Sequence, residues 1–347
     1  MDCDFSFVST KEIGSTRLSL GYSKMDDLYP FVLKAYESKE IFATCISEIK
    51  KADIILVDGV YKGKLYKAIK PKKQIVYRMA ERFQKDQNNK IKKFLRYVKY
   101  YYVALKDKGF RLLCMGHFSS IDFSYRTYKN KKYKFGYMPE TRIYNNLQDV
   151  LKNKQANSFA WVGRFVEYKH PEYLISLSLK FKAKGIKALF YVIGDGPLFF
   201  DFQKQIKANF LDEYFLLFGS IPFTEVRNVL EKCDFCLLTA DEKEGWGAVL
   251  NEAMNSLCLT VSNQNTGGSS YLINSQNGVL FSGDYSSFEK ATFEAIDLSY
   301  DKRRKIQINA YETIANLWNA KIAAERIYSS SFSGKEVTYN DGPMSRD

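Results

Sequence analysis

From Ser158 onward the chain alternates short apolar β-runs with helical stretches of about ten to fifteen residues, and that order admits few architectures. Strands are expected at 159–165, 188–193, 214–218, 234–238, 259–262 and 279–281. Helices fall between them at 171–182, 198–207, 223–231 and 248–256, and a turn occupies Gly194-Asp195-Gly196-Pro197. Near-continuous apolar strands joined by helices imply strands buried on both faces, which is a doubly wound parallel sheet. The first half repeats the pattern less cleanly, with strands expected at 5–8, 53–57, 74–77 and 112–115. A chain of 347 residues exceeds the usual single core. The fold class expected is therefore α/β, with two Rossmann-like parallel-sheet domains facing a cleft. We divide the chain into a first domain at 1–145 and a second at 146–315, joined through a polar stretch at 138–155. A terminal helix at 316–330 and a mobile polar tail at 331–347 follow.

Hydrophobic residues make up 46% and charged residues 26%, a balance that suits ordered domains. The opening Met1-Asp2-Cys3-Asp4 lacks the basic and apolar regions of a secretory signal, and no apolar run approaches the ~20 residues that span a bilayer. A cytoplasmic location and free thiols at all six cysteines are the expectation. Cys233 and Cys236 form a CxxC, but they sit in an apolar strand pattern without a second ligand pair, so they read as core and no metal site is expected. Asp2-Cys3-Asp4 is treated as an accidental DxD.

The net charge of +13 is concentrated. Residues 61–134 hold 22 Lys and Arg against four acids, while the rest of the chain holds 30 bases and 35 acids. That segment calls for an anionic partner. Within it Ile91, Phe94, Leu95, Val98, Tyr101, Tyr102 and Leu105 share one helical stripe, with Lys90, Lys92, Lys93, Arg96 and Lys99 off it. The stripe reads first as the buried face of an amphipathic helix with a solvated basic face, and second as a helix lying on anionic lipid. No recognition helix or aromatic RNA motif accompanies the charge, so nucleic acid is not expected.

In parallel sheets ligands bind outside the carboxyl ends of the strands, so the loops there carry the candidate site. Arg164 and Lys169 follow the first strand of the second domain behind Gly163, and their cationic groups suit a diphosphate. Gly194, Gly267 and Gly268 mark turns or close backbone approach. The stretch Glu244-Gly245-Trp246-Gly247-Ala248, with Glu252 further on, sets two carboxylates around a helix start near Ala248. A helix start attracts an anion. Two carboxylates flanking it suit hydrogen bonds from hydroxyls at either end of a ligand.

Taken in order, the VGRF strand with Arg164 and Lys169, the IGDGP turn, Phe218-Gly219-Ser220, the pair Glu244 and Glu252 and the GG…NGVLF ending resemble the retaining glycosyltransferases of the GT-B fold, glycosyltransferase family 4. The resemblance covers 158–281. It implies that Glu244 contacts donor-sugar hydroxyls, that Glu252 contacts the nucleotide ribose and that Arg164 and Lys169 neutralise the diphosphate. It extends donor binding to Gly163, Gly194, Ser220, Gly245, Trp246, Gly247 and Ala248, and it implies that the last helix crosses back to the first domain. Relatives often carry Glu after the paired glycines, where this chain has Tyr271. Tyr137-Met138-Pro139-Glu140 and the pair Glu81-Arg82 resemble the family more weakly, and the resemblance implies a first domain shortened at its start.

The reaction so implied moves a sugar from a nucleotide-diphosphate donor to a hydroxyl of a glycan or lipid-linked glycan in surface polysaccharide synthesis, with retention and without cofactor or metal. His117 and Glu81 are the candidates for a general base. The expected partners are a nucleotide sugar, the glycan acceptor and an anionic membrane surface met through 61–134, which would make the protein peripheral at the inner face of a membrane. Two alternatives stay open: a nucleotide-sugar epimerase of the same fold, and a catalytically silent basic protein that binds membranes or polyanions.

Overall fold

The computed structural model describes residues 3–14, 24–58, 63–83, 89–332 and 338–347. Parts of the basic segment (61–62 and 84–88) and of the tail (333–337), together with Asp2 of the DxD, lie outside the described residues. The first half contains strands β1 (Phe7–Ser9), β2 (Val32–Lys34), β3 (Ile54–Asp58), β4 (Ile75–Glu81), β5 (Arg111–Met115) and β6 (Lys132–Phe135). The second contains β7 (Gln155–Val162), β8 (Leu189–Ile193), β9 (Phe215–Gly219), β10 (Cys233–Leu238), β11 (Leu259–Asn263) and β12 (Val279–Phe281). They form a parallel pair β1-β2, a parallel sheet β3-β4-β5-β6 and a parallel sheet β12-β11-β10-β7-β8-β9. Two Rossmann-like domains of the GT-B type result.

Strand periodicity builds both cores. Along β7, Phe159 and Trp161 enter one apolar cluster while Ala160 and Val162 enter the other. Helices therefore cover both faces, which is why the strand reads as a continuous apolar run. Cys233 and Cys236 are fully buried in β10, and burial pushes the Cys236 thiol well above its ordinary value. In the first domain Leu112 and Cys114 of β5 face one cluster and Leu113 faces the other. That second face is closed by the Ala320–Phe332 helix, whose Ala323 and Ile327 pack with Tyr77, Leu113, Tyr133 and Phe135. Arg111 donates to the Ser330 carbonyl at 3.1 Å, so the last helix is fixed to the first domain by polar contacts as well.

Three departures from the sequence reading have physical causes. Residues 338–347 are not a mobile tail. Met344 is buried in the first-domain core, its N–H donates to the Lys134 carbonyl at 2.8 Å, and Tyr133 forms an antiparallel bridge with Arg346. Strand β6 hides in the basic segment because Lys132 and Lys134 alternate with the buried Tyr133 and Phe135. The third departure concerns the Lys90–Lys106 helix, whose apolar stripe is not its buried face. Ile91 is 74% exposed, Phe94 64%, Leu95 61% and Tyr102 63%. The face turned inward is Tyr100, Val103, Ala104 and Asp107, with Tyr100 stacked on Phe83 at 4.1 Å. Asp107, fully buried just past the helix, accepts from Arg78, Tyr66 and Tyr128 and so decides which face goes in. Among the described residues no helix is long and apolar enough to cross a membrane.

Candidate functional site at the domain seam

The two domains meet through backbone. A Cβ added at Gly116, beyond β5, would stand 2.6 Å from the Gly245 carbonyl oxygen and 3.0 Å from Gly267 Cα. One added at Gly267 would overlap the Gly245 carbonyl itself. Gly267 and Gly268 thus allow close approach of chain to chain, with Gly268 N–H donating to the Trp246 carbonyl at 2.9 Å. The His117 N–H bonds the Gly267 carbonyl at 3.0 Å, and Arg82 donates to the Glu242 carbonyl, so the first domain holds the loop that carries Glu244.

Above that seam lies a cleft of about 180 Å³ lined by Glu81 and Tyr137 from the first half of the chain and by Tyr168, Lys243 and residues 244–248 from the second. Lys169 Nζ pairs with Glu244 Oε2 at 2.7 Å, with both side chains largely buried. The carboxylate thereby fixes the ammonium beside the Ala248–Asn255 helix, which Gly247 caps in a left-handed conformation (φ 81°). The first turn of that helix leaves backbone N–H groups without helical acceptors, and they favour an anion. Arg164 is exposed, and its side chain makes no hydrogen bond or ion pair among the described residues. Glu252, one turn into the helix, is half-buried and likewise makes no such contact. Burial raises its pKa, an effect that Arg227 only partly offsets. A carboxylate in that state is an acceptor without a donor.

The remaining residues sort by position. Gly194 lies against the Gly163 carbonyl and donates to Gly219 at 2.8 Å, which draws the loops after β7, β8 and β9 together, with Ser220 exposed at the last. Trp246 corrects the expectation for it. Only its backbone faces the cleft, because the indole is buried against Gly136, Tyr271 and Trp318 and donates to Asn251 at 2.8 Å. The resemblance implied donor binding for it, whereas its indole anchors the crossover between the domains. His117 is exposed at the start of its helix, with its ring against Phe118, and does not line the cleft. Glu81 does line it and accepts from the Tyr137 hydroxyl. Sequence reasoning gave no role to Tyr137, Tyr168 or Lys243. The Tyr137-Met138-Pro139-Glu140 stretch was the available signal for the first of these.

His170 ties two site loops together. It pairs with Glu172 at 2.8 Å and with Asp241 at 3.8 Å, and the Asp241 N–H bonds the Tyr168 carbonyl at 2.8 Å. Bonds to Asp241 and then Glu172 push its pKa up to about 9. Because the folded value lies above the unfolded one, the contribution is fully present below about pH 6.5 and is lost as pH rises through about 9. The urea midpoint should fall over that interval and flatten in His170→Gln. An unchanged pH profile in the variant would remove this tether.

Residues 144–313 match the model of the glycosyl transferases group 1 family. The second domain is therefore similar to group 1 glycosyl transferases over just under half of the chain. The Saccharomyces cerevisiae phosphatidylinositol N-acetylglucosaminyltransferase GPI3 subunit is 31% identical over 157 residues, 44% of this chain and 34% of the yeast protein (strain YJM789). The chain thus matches about a third of the length of these curated relatives. Around the matched segment the whole fold is also shared. Anabaena HepE, solved with UDP, aligns at TM-score 0.63 and 13% identity over 87% of this chain and 85% of its own. WaaG, a glycosyltransferase involved in lipopolysaccharide biosynthesis, aligns at 0.60 and 14% over 96% and 100%. Staphylococcus aureus TarM, solved with UDP and α-GlcNAc-glycerol, aligns at 0.61 and 16% over 84% and 59%.

Proposed function

We propose that the protein is a retaining glycosyltransferase that moves a sugar from a nucleotide-diphosphate donor to a hydroxyl of a glycan or lipid-linked glycan acceptor, as in surface polysaccharide synthesis. The observation that carries this reading is one cleft in which Glu244, ion-paired to Lys169, and the Gly247–Ala248 helix start meet Glu81 of the first domain. Charge grows on the departing diphosphate, and Lys169, Arg164 and the helix amides would receive it. Glu244 then accepts from donor-sugar hydroxyls, and the partnerless Glu252 from the ribose. Glu81 and Tyr137 stand on the side from which an acceptor hydroxyl would approach, with Glu81 the better placed of the two base candidates. UDP in the HepE and TarM structures, and the phosphatidylinositol in the name of the yeast relatives, support a uridine nucleotide donor and a lipid-borne acceptor.

The exposed stripe of the Lys90–Lys106 helix supports a membrane setting, since aliphatic side chains interleaved with lysines match an anionic bilayer surface. A second copy of the chain fits poorly there, because two such basic faces repel.

Nucleotide sugars at about 100 times their dissociation constant should stabilise the fold by about 2.7 kcal/mol. That response should weaken in Glu252→Ala for nucleotides and nucleotide sugars alike, and in Glu244→Ala for the sugar nucleotide over the bare nucleotide. NMR of the product should give the donor's anomeric configuration. Conversion of the donor without acceptor would favour the epimerase, and no response to any nucleotide would leave only the binding protein.

A further inference from the structure

We infer that the open cleft beside the Lys90–Lys106 helix, lined by residues 124–132 and 346–347, is a site for the phosphomonoester headgroup of a membrane lipid. The cleft measures about 750 Å³ and is lined by Ser124, Tyr125, Arg126, Lys129, Asn130, Lys132, Arg346 and Asp347. Its volume lies in the range of small-molecule sites.

Four cations line it beside Asp347, and they are of two kinds. Lys132 Nζ is held by the Ser120 carbonyl at 2.6 Å, and the Arg346 guanidinium is held over the Tyr133 ring at 4.9 Å while donating to the Asn130 carbonyl. These two are positioned in advance. Arg126 and Lys129 are exposed, and their side chains make no ion pair or hydrogen bond among the described residues. A ligand that satisfies both kinds needs two negative charges and several acceptor oxygens on one centre, which describes a phosphomonoester better than a diester or a carboxylate.

The source of that group follows from the neighbouring wall. Tyr125 lines the cleft and packs its ring on Tyr97 at 5.4 Å and Tyr101 at 5.9 Å, and its hydroxyl donates to the Tyr97 carbonyl at 3.2 Å. Those tyrosines belong to the helix whose Phe94, Leu95 and Tyr102 face outward. A phosphate in the cleft and a hydrocarbon chain on that stripe are two ends of one amphiphile. A free phosphorylated metabolite would leave the stripe unused.

The inference rests on the membrane reading for the place where the ligand is met, and the experiment separates the two. Flotation of the full chain is measured with phosphatidylcholine vesicles carrying phosphatidic acid or phosphatidylserine, matched for surface potential. The wild type should bind the phosphatidic acid vesicles about tenfold more tightly, as expected for about one additional charge-assisted hydrogen bond. Arg126→Ala with Lys129→Ala should bring the two vesicles to about equal affinity without abolishing binding. Phe94→Ser with Leu95→Ser should weaken both and leave their ratio intact. Equal wild-type binding at matched potential, or a preference that survives in the Arg126/Lys129 variant, overturns the headgroup site. Unchanged binding in the Phe94/Leu95 variant overturns the membrane reading. Glycerol 3-phosphate binding by calorimetry as tight as the vesicle preference would assign the cleft to a soluble ligand instead and overturn the proposal.

Discussion

Replacing Lys169 with alanine should slow sugar transfer about 10²- to 10³-fold, with most of the loss in kcat and little in donor KM. The ammonium is fixed at 2.7 Å from Glu244 before any donor arrives, so it loses little freedom when the diphosphate takes it over. In the proposed reaction its attraction to the phosphates would grow as the glycosidic bond breaks, and a group whose interaction strengthens along the reaction acts on turnover. The variant also leaves the largely buried Glu244 without its partner, so Lys169→Arg is the control that restores the charge. Lys243 lines the cleft beside Glu244 and is more exposed than Lys169, so solvent screens it and Lys243→Ala should change kcat only slightly. Steady-state kinetics on the three variants decides the matter. A Lys169→Ala enzyme about as fast as Lys243→Ala would take the diphosphate role from Lys169.

The largest stability effect is expected at Asp107. Its carboxylate is fully buried and accepts from the Arg78 guanidinium, from Tyr66 at 2.6 Å and from Tyr128. Arg78 is itself buried, so Asp107→Ala removes the carboxylate that its guanidinium pairs with in the first-domain core. Breaking a buried pair in this way typically costs about 3–5 kcal/mol, a large share of a domain's stability. Asp107→Asn keeps one acceptor oxygen but removes the charge and replaces the oxygen that serves the other hydroxyl with an amide donor, and should fall between the alanine variant and the wild type. Urea unfolding followed by tyrosine fluorescence gives the comparison. A loss below about 1 kcal/mol would mean that Arg78 finds water or another acceptor when the domain relaxes.

What the sequence disclosed depended on how local each signal was. The second domain was legible because its strands, turns and site loops follow each other within about 120 residues, and each loop's residue types declare its chemistry: Arg164 with Lys169, then Glu244 before a helix start. The Lys90–Lys106 helix was not legible in the same way. It has two possible inward faces, and the choice between them is made by Phe83 and Asp107 rather than by its own periodicity. Strand β6 was masked by lysines at its outward positions. The folding back of 338–347 depends on one methionine finding a core contributed by residues some two hundred positions earlier. Trp246 shows the same limit inside the site. The family resemblance implied a donor contact, and only Gly136, from the other side of the crossover, shows where the indole goes.

The glycine seam has a consequence for how such a molecule can change over time. Gly116 belongs to the first half of the chain and Gly245 and Gly267 to the second, and neither Gly116 nor Gly267 tolerates a side chain while the Gly245 carbonyl remains in place. The spacing between the halves is therefore written in main chain and not in replaceable side chains. Surface and pocket residues on either half can drift to suit a new donor or acceptor without disturbing that spacing. A first half transplanted onto another second half would dock only if each brought bare backbone to its own position, Gly116 on one and Gly267 on the other, so the halves are free to specialise but must be inherited as a matched pair.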